Sequence, residues 1–557
     1  MHTAKAQARI LFDFLEDAGV TDVVVSPGSR NAPLIIEAEA RKHFRKTVIV
    51  DERSAAFVAL GMADATGKPV ALFCTSGTAV LNYYPAVAEA FYRKIPLIVV
   101  SADRPSYRID KGEGQSIRQA GVLEKHVVAH ASLCERDPEE EWIGEFQRVF
   151  AKQKALNGPV HINIPFEEPL YETVRDHRAI SISPVEKTEA PPVEAGRLER
   201  LVDIWNRASG KMILVSQGKF DDILQVQLEK TASLPDTIVL TENTSNVNGK
   251  NILAHIDRLI FSLDDKEWQE LAPDLVVTVG QNIISKKIKF LLRKTGKPLQ
   301  HWHIGTDYIV PDTFDALTEH IATTPEMFFS QLLFGIYDRK PASSYAAKWK
   351  ELSRYRRKKH ETFADRHSKW SDWRFFYLLS KTLKEKWHIH WANSTVIRYA
   401  QLFDFDPAVR HYGNRGTSGI DGSLSTALGF AIRSREPVLH VSGDLSALYD
   451  SNALWPGWPA NFKLILLVNG GGDIFRFIPG PETVSNFEKY FVAEQALPDW
   501  EKLFSAYGKT VEGIISSGTD FSQKLHAFLH GDKQILIIDT RSASNAGLLR
   551  RYFASLK

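Results

Sequence analysis

Short β-rich apolar runs recur along the chain, and between them apolar residues return every three or four positions. Asp22–Ser26, Thr47–Val50, Val70–Thr75, Leu97–Ala102, Val127–Ser132 and Val160–Ile164 read as strands, and the stretches between them as amphipathic helices. Such alternation is the grammar of a parallel sheet covered by helices. Ala4–Leu15 places Ala6, Ile10, Leu11, Phe14 and Leu15 on one helical face, and Asp137–Lys154 repeats the pattern. After Pro165–Tyr171 the chain turns polar and ends in EAPPVEAG, Glu189–Gly196, the composition of an interdomain linker. A second round follows, with strands at Met212–Val215, Thr237–Leu240, Leu275–Val279 and His301–Ile304. Charged Lys340–Asp372 reads as a second connection, and a third round has strands at His388–Trp391, Val409–Tyr412, Val438–Val441, Leu464–Val468 and Ile535–Ile538. The pattern predicts an α/β protein of three doubly wound domains with mostly parallel sheets, at 1–180, 195–340 and 365–557, without tandem repeats.

Composition narrows the classes. A chain of 557 residues with 44% apolar and 24% charged residues and a net charge of +2 has no general field for nucleic acid or membrane. The run RYRRKKH, Arg354–His360, is read as a solvated helical face rather than a nucleic-acid site. Cys74 and Cys134 lie in apolar runs and read as buried core thiols. With no apolar run of about 18 residues and no basic-then-apolar leader, neither a membrane span nor a signal peptide is expected, and the chain is expected to be cytoplasmic. The middle round lacks Gly-x-Gly-x-x-Gly, so no dinucleotide is assigned to it.

The candidate chemistry sits where strands end. PVLHV leads into SGDLS, Ser442–Ser446, and KLILLV into NGGGDIF, Asn469–Phe475. Asp444 and Asn469 supply hard oxygens, and the Gly471 carbonyl a third, for Mg²⁺ bridging to a phosphate. Alone, Asp444 would be a helix N-cap and Asn469 a turn residue. The glycine-rich Gly413–Ala431 lets backbone amides approach a ligand in its first half, and from Ser425 reads as a helix packed through Gly and Ala. Glu52, in DERSAA at the head of a helix, is either a cap or a carboxylate aimed at a ligand on the sheet edge. The loops VSPGSRNAPL, TSGTAV, SADRP and GEGQSI, with Arg30, Arg104, Arg398 and Arg415, could assemble a basic pocket. Arginine suits carboxylates, although single arginines are usually surface or ion-pair groups.

In order along the chain, SPGSRNAPL, DERSAAF, TSGTAVLNYYPAVAEA, ADRP, GNRGTSGIDG, GDLSALYD and NGGGDIF resemble the thiamine diphosphate-dependent enzymes, closest to a carboligase subgroup of menaquinone biosynthesis. The middle round matches mainly in size, place and the SKK run Ser285–Lys287. The resemblance implies a pyrimidine-binding, a central and a diphosphate-binding domain, in a homo-oligomer, dimer or tetramer, with active sites between subunits. It implies thiamine diphosphate and Mg²⁺, or Mn²⁺, held by Asp444, Asn469 and Gly471. Ser418, Ile420, Gly443, Leu445, Ser446 and Ile474 would line the cofactor, with Ile420 as the apolar buttress that bends it. Glu52, from the partner subunit, would hydrogen-bond the pyrimidine and favour its imino tautomer. Catalysis would rest on Glu52, Gln115, Arg398 and Arg415. The substrate set would be Ser29, Arg30, Arg104, Gln115, Lys286, Ser394, Arg398, Arg415 and Phe475, Ile474 and Phe475 forming an apolar wall.

The implied reaction decarboxylates 2-oxoglutarate and adds the succinyl unit to isochorismate. Other 2-oxo acid decarboxylases, acetohydroxyacid-type synthases and a cofactor-binding regulatory protein without catalysis are the alternatives. Gly-Asp-Leu-Ser in place of Gly-Asp-Gly fits the subgroup, whereas Val468 before Asn469, Gly114 beside Gln115, and Asp473 depart from the pattern. His126 and His411 read as structural.

Overall fold

The computed structural model describes residues 1–180, 182, 190–296, 298–337, 340–493 and 498–557. Three six-stranded sheets follow one another along the chain, and every strand pair given a register in them is parallel. The first contains β2 (Asp22–Val25), β3 (Arg45–Val48), β4 (Val70–Cys74), β5 (Leu97–Asp103), β6 (Ala129–Ser132) and β7 (Val160–Pro165), in the order β3-β2-β4-β5-β7-β6. A two-residue strand at each end of this block, β1 (His2–Thr3) and β8 (Thr173–Val174), pairs antiparallel. The second sheet contains β9 (Lys211–Val215), β10 (Thr237–Thr241), β11 (Leu253–Ala254), β12 (Leu275–Val279), β13 (Gln300–Ile304) and β14 (Leu317–Ile321), in the order β11-β10-β9-β12-β13-β14. The third has β15 (His388–Trp391), β16 (Arg410–Gly413), β17 (Val438–Gly443), β18 (Phe462–Val468), β19 (Val511–Ile515) and β20 (Ile535–Asp539), in the order β16-β15-β17-β18-β20-β19.

Central strands such as β4, β5, β9, β12 and β18 are buried along their whole length. Continuous Val, Ile and Leu runs suit strands covered on both faces. The edge strands explain the differences from the sequence reading. β3 begins two residues before the apolar TVIV run, and Val48 and Val50 are exposed. The polar LTEHI and glycine-containing VEGII, which pattern alone does not mark as strands, pair only on one side, as β14 and β19.

The chain folds into two compact units, 1–188 with 416–438 and 446–462, and 189–415 with 439–445 and 463–557. In the first, helix Ser423–Arg433 packs on helix Glu52–Thr66. The two cross at glycine: a Cβ on Gly61 would lie 1.9 Å from the Thr426 carbonyl, and one on Gly429 1.9 Å from that of Val58. Tight packing of the STALGFA half, from Ser425, is thus as its composition predicts.

In the second unit, the segment read as a connection is a helix, Tyr345–Arg366, packed by Trp349 into the core of the second sheet and by Phe363 into that of the third. The basic run lies on it, but Arg356 is 2% exposed and the buried His360 ring bonds the Tyr552 hydroxyl at 2.8 Å, so it is only partly a solvated face. The expected linker is also more ordered than its composition suggests. Glu189 and the residues 183–188 before it lie outside the described residues. Val193 is buried, its N–H and carbonyl both bonding the Gln331 amide at 2.9 Å, and Glu194 caps helix Ala195–Arg207. Cys74 is buried but Cys134 only half so, and both are free. No described helix is long and apolar enough to cross a membrane.

Candidate active site

In the second unit, β17 and β18 end beside each other, and Asp444 follows the first. Its carboxylate is 1% exposed. Oδ2 accepts the N–H groups of Asn469, Gly470 and Gly471 at 3.2, 3.0 and 3.1 Å, and Oδ1 that of Leu445 at 2.7 Å. Asp444 therefore fixes the NGGG turn rather than only capping a helix. Burial pushes its pKa up, and the four amides oppose the shift. Asn469 is no simple turn residue either. Its Nδ2 donates at 2.9 Å to Asp372, which is fully buried and also accepts the Thr540 hydroxyl at 2.5 Å. With Nδ2 engaged, Asn469 Oδ1 is the atom left for a ligand. Gly470 and Gly471 hold φ of 88° and 105°, which a side chain would strain. One carboxylate, one amide oxygen and one carbonyl form an all-oxygen donor set that suits Mg²⁺. No cluster of three His, Cys, Asp or Glu suited to a metal occurs among the described residues.

Also in this unit, a cavity of about 380 Å³ is lined by Lys286, Lys287, Arg398 and Asp257 together with apolar Ile474 and Phe477. Neither Lys286 nor Arg398 forms an ion pair among the described residues. Burial lowers both pKa values, Arg398 and Arg415 lower that of Lys286 further, and Asp257 and Glu242 partly restore that of Arg398. Arg415 is buried and donates to Asn393 Oδ1 at 2.7 Å. Ser394 precedes helix Thr395–Ala400 with φ 71° and ψ −130°, a strained backbone for serine. The helical (i, i+4) pairing expected of Ser394 and Arg398 therefore starts from the residue flanking the helix. Phe475 packs on Phe491 at 5.8 Å, and of the expected apolar wall Ile474 lines the cavity, with Phe477 beside it. Asp473 is explained by Arg476, 3.4 Å away and itself paired with Glu488.

In the first unit, the cap of helix Glu52–Thr66 is Asp51, whose Oδ1 accepts the Ser54 N–H at 3.1 Å and whose Oδ2 accepts the Asn452 amide. Glu52 is thereby released from capping. It is half-buried, and desolvation pushes its pKa up against its own backbone N–H. Ile420 stands 37% exposed on the GTSGI loop, with its carbonyl accepting the Ser446 hydroxyl at 2.6 Å. An apolar side chain held out of the core is what a ring buttress requires, so the residues fit thiamine diphosphate. Ser418 and Gln115 hold positive φ of 64° and 53°.

The two candidate arginines of this unit, Arg30 and Arg104, are already engaged. Arg30 is buried, donating to the Phe166 carbonyl at 3.0 Å and pairing with Glu168 at 3.1 Å. Arg104 bonds the Gly114 carbonyl and Glu113. Gly114, a departure from the family pattern, thus contributes its backbone carbonyl to Arg104. Ser29 is exposed. His126 bonds Tyr84, and His411, driven down to about 3 by burial, accepts the Trp391 indole N–H; both are structural.

Four buried acids that hold these loops escaped the sequence reading: Glu89, Glu242, Asp372 and Asp450. Glu89 accepts the N–H groups of Gly416 and Thr417 at 2.8 and 2.7 Å, and Asp450 the Ser425 N–H at 2.7 Å. Burial pushes Asp372 and Asp450 up to about 7. Glu89 and Asp450 lie inside largely apolar segments, whereas Glu242 and Asp372 stand in polar ones that give no signal of burial.

Comparison with known proteins places these features in a family. The thiamine pyrophosphate enzyme N-terminal TPP binding domain matches residues 6–122. A 2-succinyl-5-enolpyruvyl-6-hydroxy-3-cyclohexene-1-carboxylate synthase of Flavobacterium johnsoniae is 43% identical over 560 residues, 99% of each chain. That of Flavobacterium psychrophilum is 41% identical over 552 residues, covering 99% of this chain and 98% of its own, and that of Porphyromonas gingivalis 38% over 571, covering 99% and 97%. Related along almost its whole length to these enzymes, and carrying the thiamine diphosphate-binding domain at its N-terminus, the chain belongs to the 2-succinyl-5-enolpyruvyl-6-hydroxy-3-cyclohexene-1-carboxylate synthase family.

Proposed function

We propose that the enzyme decarboxylates 2-oxoglutarate and adds the remaining succinyl unit to isochorismate by 1,4-addition, with Mg²⁺ or Mn²⁺ beside thiamine diphosphate, as a step of menaquinone biosynthesis. The observation that carries the substrate class is the pair Lys286 and Arg398, two cations that form no ion pair among the described residues, in one cavity with an apolar wall. Both substrates are dicarboxylates with apolar carbon between the charges. Cations left unpaired in a partly dry site are costly unless an anion completes them.

Thiamine diphosphate supplies the electron sink that lets a 2-oxo acid lose carbon dioxide and pass on its acyl unit. Asp444, Asn469 and the Gly471 carbonyl would hold the metal and diphosphate, with Gly443, Leu445 and Ser446 around them, and Ser418, Ile420 and Ile474 would line the rings. Glu52 would hold a proton at the pyrimidine of the partner subunit's cofactor, in a homo-oligomer. Arg398, Arg415, Lys286 and Ser394 would orient substrate carboxylates, with Ser29, Arg30, Arg104 and Gln115 from the N-terminal block and Phe475 excluding water. The domain limits 1–180, 195–340 and 365–557 are part of the same reading.

The test is an assay with thiamine diphosphate and Mg²⁺, each omitted in turn. Carbon dioxide release and a product of the summed substrate mass less one carbon dioxide are expected only with 2-oxoglutarate and isochorismate together. Faster turnover of pyruvate would overturn the assignment.

Asn469 gives a metal prediction with its own readout. Because Asp372 takes Nδ2, it turns Oδ1 toward the ligand side, and a carboxylate supporting a metal ligand is worth about 10–100-fold in affinity. Asp372→Ala should therefore weaken Mn²⁺ binding by about that factor, followed by the paramagnetic resonance of free Mn²⁺. Affinity equal to wild type would remove Asn469 orientation from the account.

A further inference from the structure

We propose that Glu242 is a positioning residue that holds the Ile284–Ser285 turn, and through it the backbone origin of Lys286, in place at the cavity. This rests on the reading of that cavity as the substrate site. Glu242 follows β10 and is 4% exposed. Its Oε1 accepts the N–H groups of Ile284 and Ser285 at 2.8 and 2.9 Å, and its Oε2 shares the Ile284 N–H at 2.9 Å. The turn follows β12, which is not a neighbour of β10; β9 lies between them. The carboxylate therefore reaches across the end of β9 to a turn that the ladder does not hold there.

Ser285 is the pivot. Its hydroxyl donates to Asp257 in the cavity wall and accepts the Ile288 N–H at 3.1 Å, capping helix Lys286–Arg293. A buried acid and a half-buried one thus grip one residue, Glu242 by the backbone and Asp257 by the side chain, immediately before Lys286. Burying a carboxylate is unfavourable without bonds that reward it. Glu242 is pushed up to about 7 by desolvation, opposed first by the two amides and then by Arg415. Lysine keeps a flexible stem, so its ammonium is confined to the cavity only as far as its Cα is fixed.

Three substitutions separate reach from charge. Glu242→Gln can keep Oε1 on both amides and loses the charge together with the Oε2 share of the Ile284 N–H; Glu242→Asp keeps the charge and is one methylene too short; Glu242→Ala loses both. Hydrogen exchange of the backbone at 284–288 should speed in the Asp and Ala variants and stay near wild type in Gln. KM for the substrate that Lys286→Ala affects should rise about 10-fold in Asp and Ala, the scale of one charge-assisted hydrogen bond, with kcat changing much less. In a Lys286→Ala background the Asp variant should add nothing. Unchanged exchange in Glu242→Asp, a Gln variant as impaired as Asp, or full additivity with Lys286→Ala would each overturn the proposal. Should Lys286→Ala leave both KM values unchanged, the substrate reading of the cavity falls, and exchange alone decides whether Glu242 holds the turn. If the Ala variant does not fold, the Asp and Gln pair carries the test.

Discussion

Glu52→Gln is expected to lower kcat by about 10²–10⁴-fold while thiamine diphosphate still binds, the range for loss of a positioned proton-transfer group. The structure frees Glu52 for this role because Asp51 caps the helix. Its partial burial, which raises its pKa, would prepare it to share a proton with a ring nitrogen. Glutamine keeps the size and one acceptor, so the change removes the titrating oxygen and little else. The loss corresponds to about 3–5 kcal/mol of transition-state stabilisation. Cofactor titration by fluorescence together with steady-state rates reads the two effects separately; unchanged kcat would end the assignment. If Glu52 serves the partner subunit, mixing Glu52→Gln with Asp444→Ala chains should restore activity. Each such hybrid dimer has one site with both residues intact. Continued inactivity of the exchanged mixture would place both residues of a site on one chain.

What the sequence made legible divides by range. Strands such as β4, β9 and β18 announce themselves because burial on both faces leaves a continuous apolar run, and the helix at Glu52 was legible from the acids at its head, although its cap is Asp51 rather than Glu52. Asp444 and Asn469 were legible as strand-end oxygens, and the structure adds why they stand together: the carboxylate binds the amides of the very turn that carries Asn469. The acids that fix the remaining loops were not legible. Glu89 meets Gly416 and Thr417 more than three hundred positions later, and Asp372 meets Asn469 97 positions on. The apolar PAVAEAFY segment hints that Glu89 is buried, but nothing near it in the chain shows which amides it binds. The same limit applies to helix Tyr345–Arg366, whose charged face hides Trp349 and Phe363, each serving a different sheet. Arg30 and Arg104 show the converse, since ion pairs chosen by tertiary structure already occupy them.

Gly61→Ala and Gly429→Ala should each destabilise the first unit by about 3 kcal/mol, although alanine in a helix interior is ordinarily better than glycine by about 1 kcal/mol. The sign reverses because a Cβ at either position would lie 1.9 Å from a carbonyl of the opposite helix, and backbone cannot swing aside as a side chain can. The helices would have to separate, breaking the 2.8 Å contact between the Ser54 and Ser425 hydroxyls. Asp450, which holds both the N–H and the hydroxyl of Ser425, resists that movement. Gly144→Ala is the matched control. Gly144 lies inside helix Glu139–Leu156 and a Cβ there meets nothing within 4 Å, so this substitution should stabilise by about 1 kcal/mol. Thermal unfolding of the three variants reads the difference as shifts of opposite direction. Equal shifts for Gly61→Ala and Gly144→Ala would mean that the helices do not cross in contact. Since Glu52 opens one of these helices and the GTSGI loop leads into the other, the crossing also sets where both arrive. The Gly61 variant should accordingly lose cofactor affinity before it loses its fold.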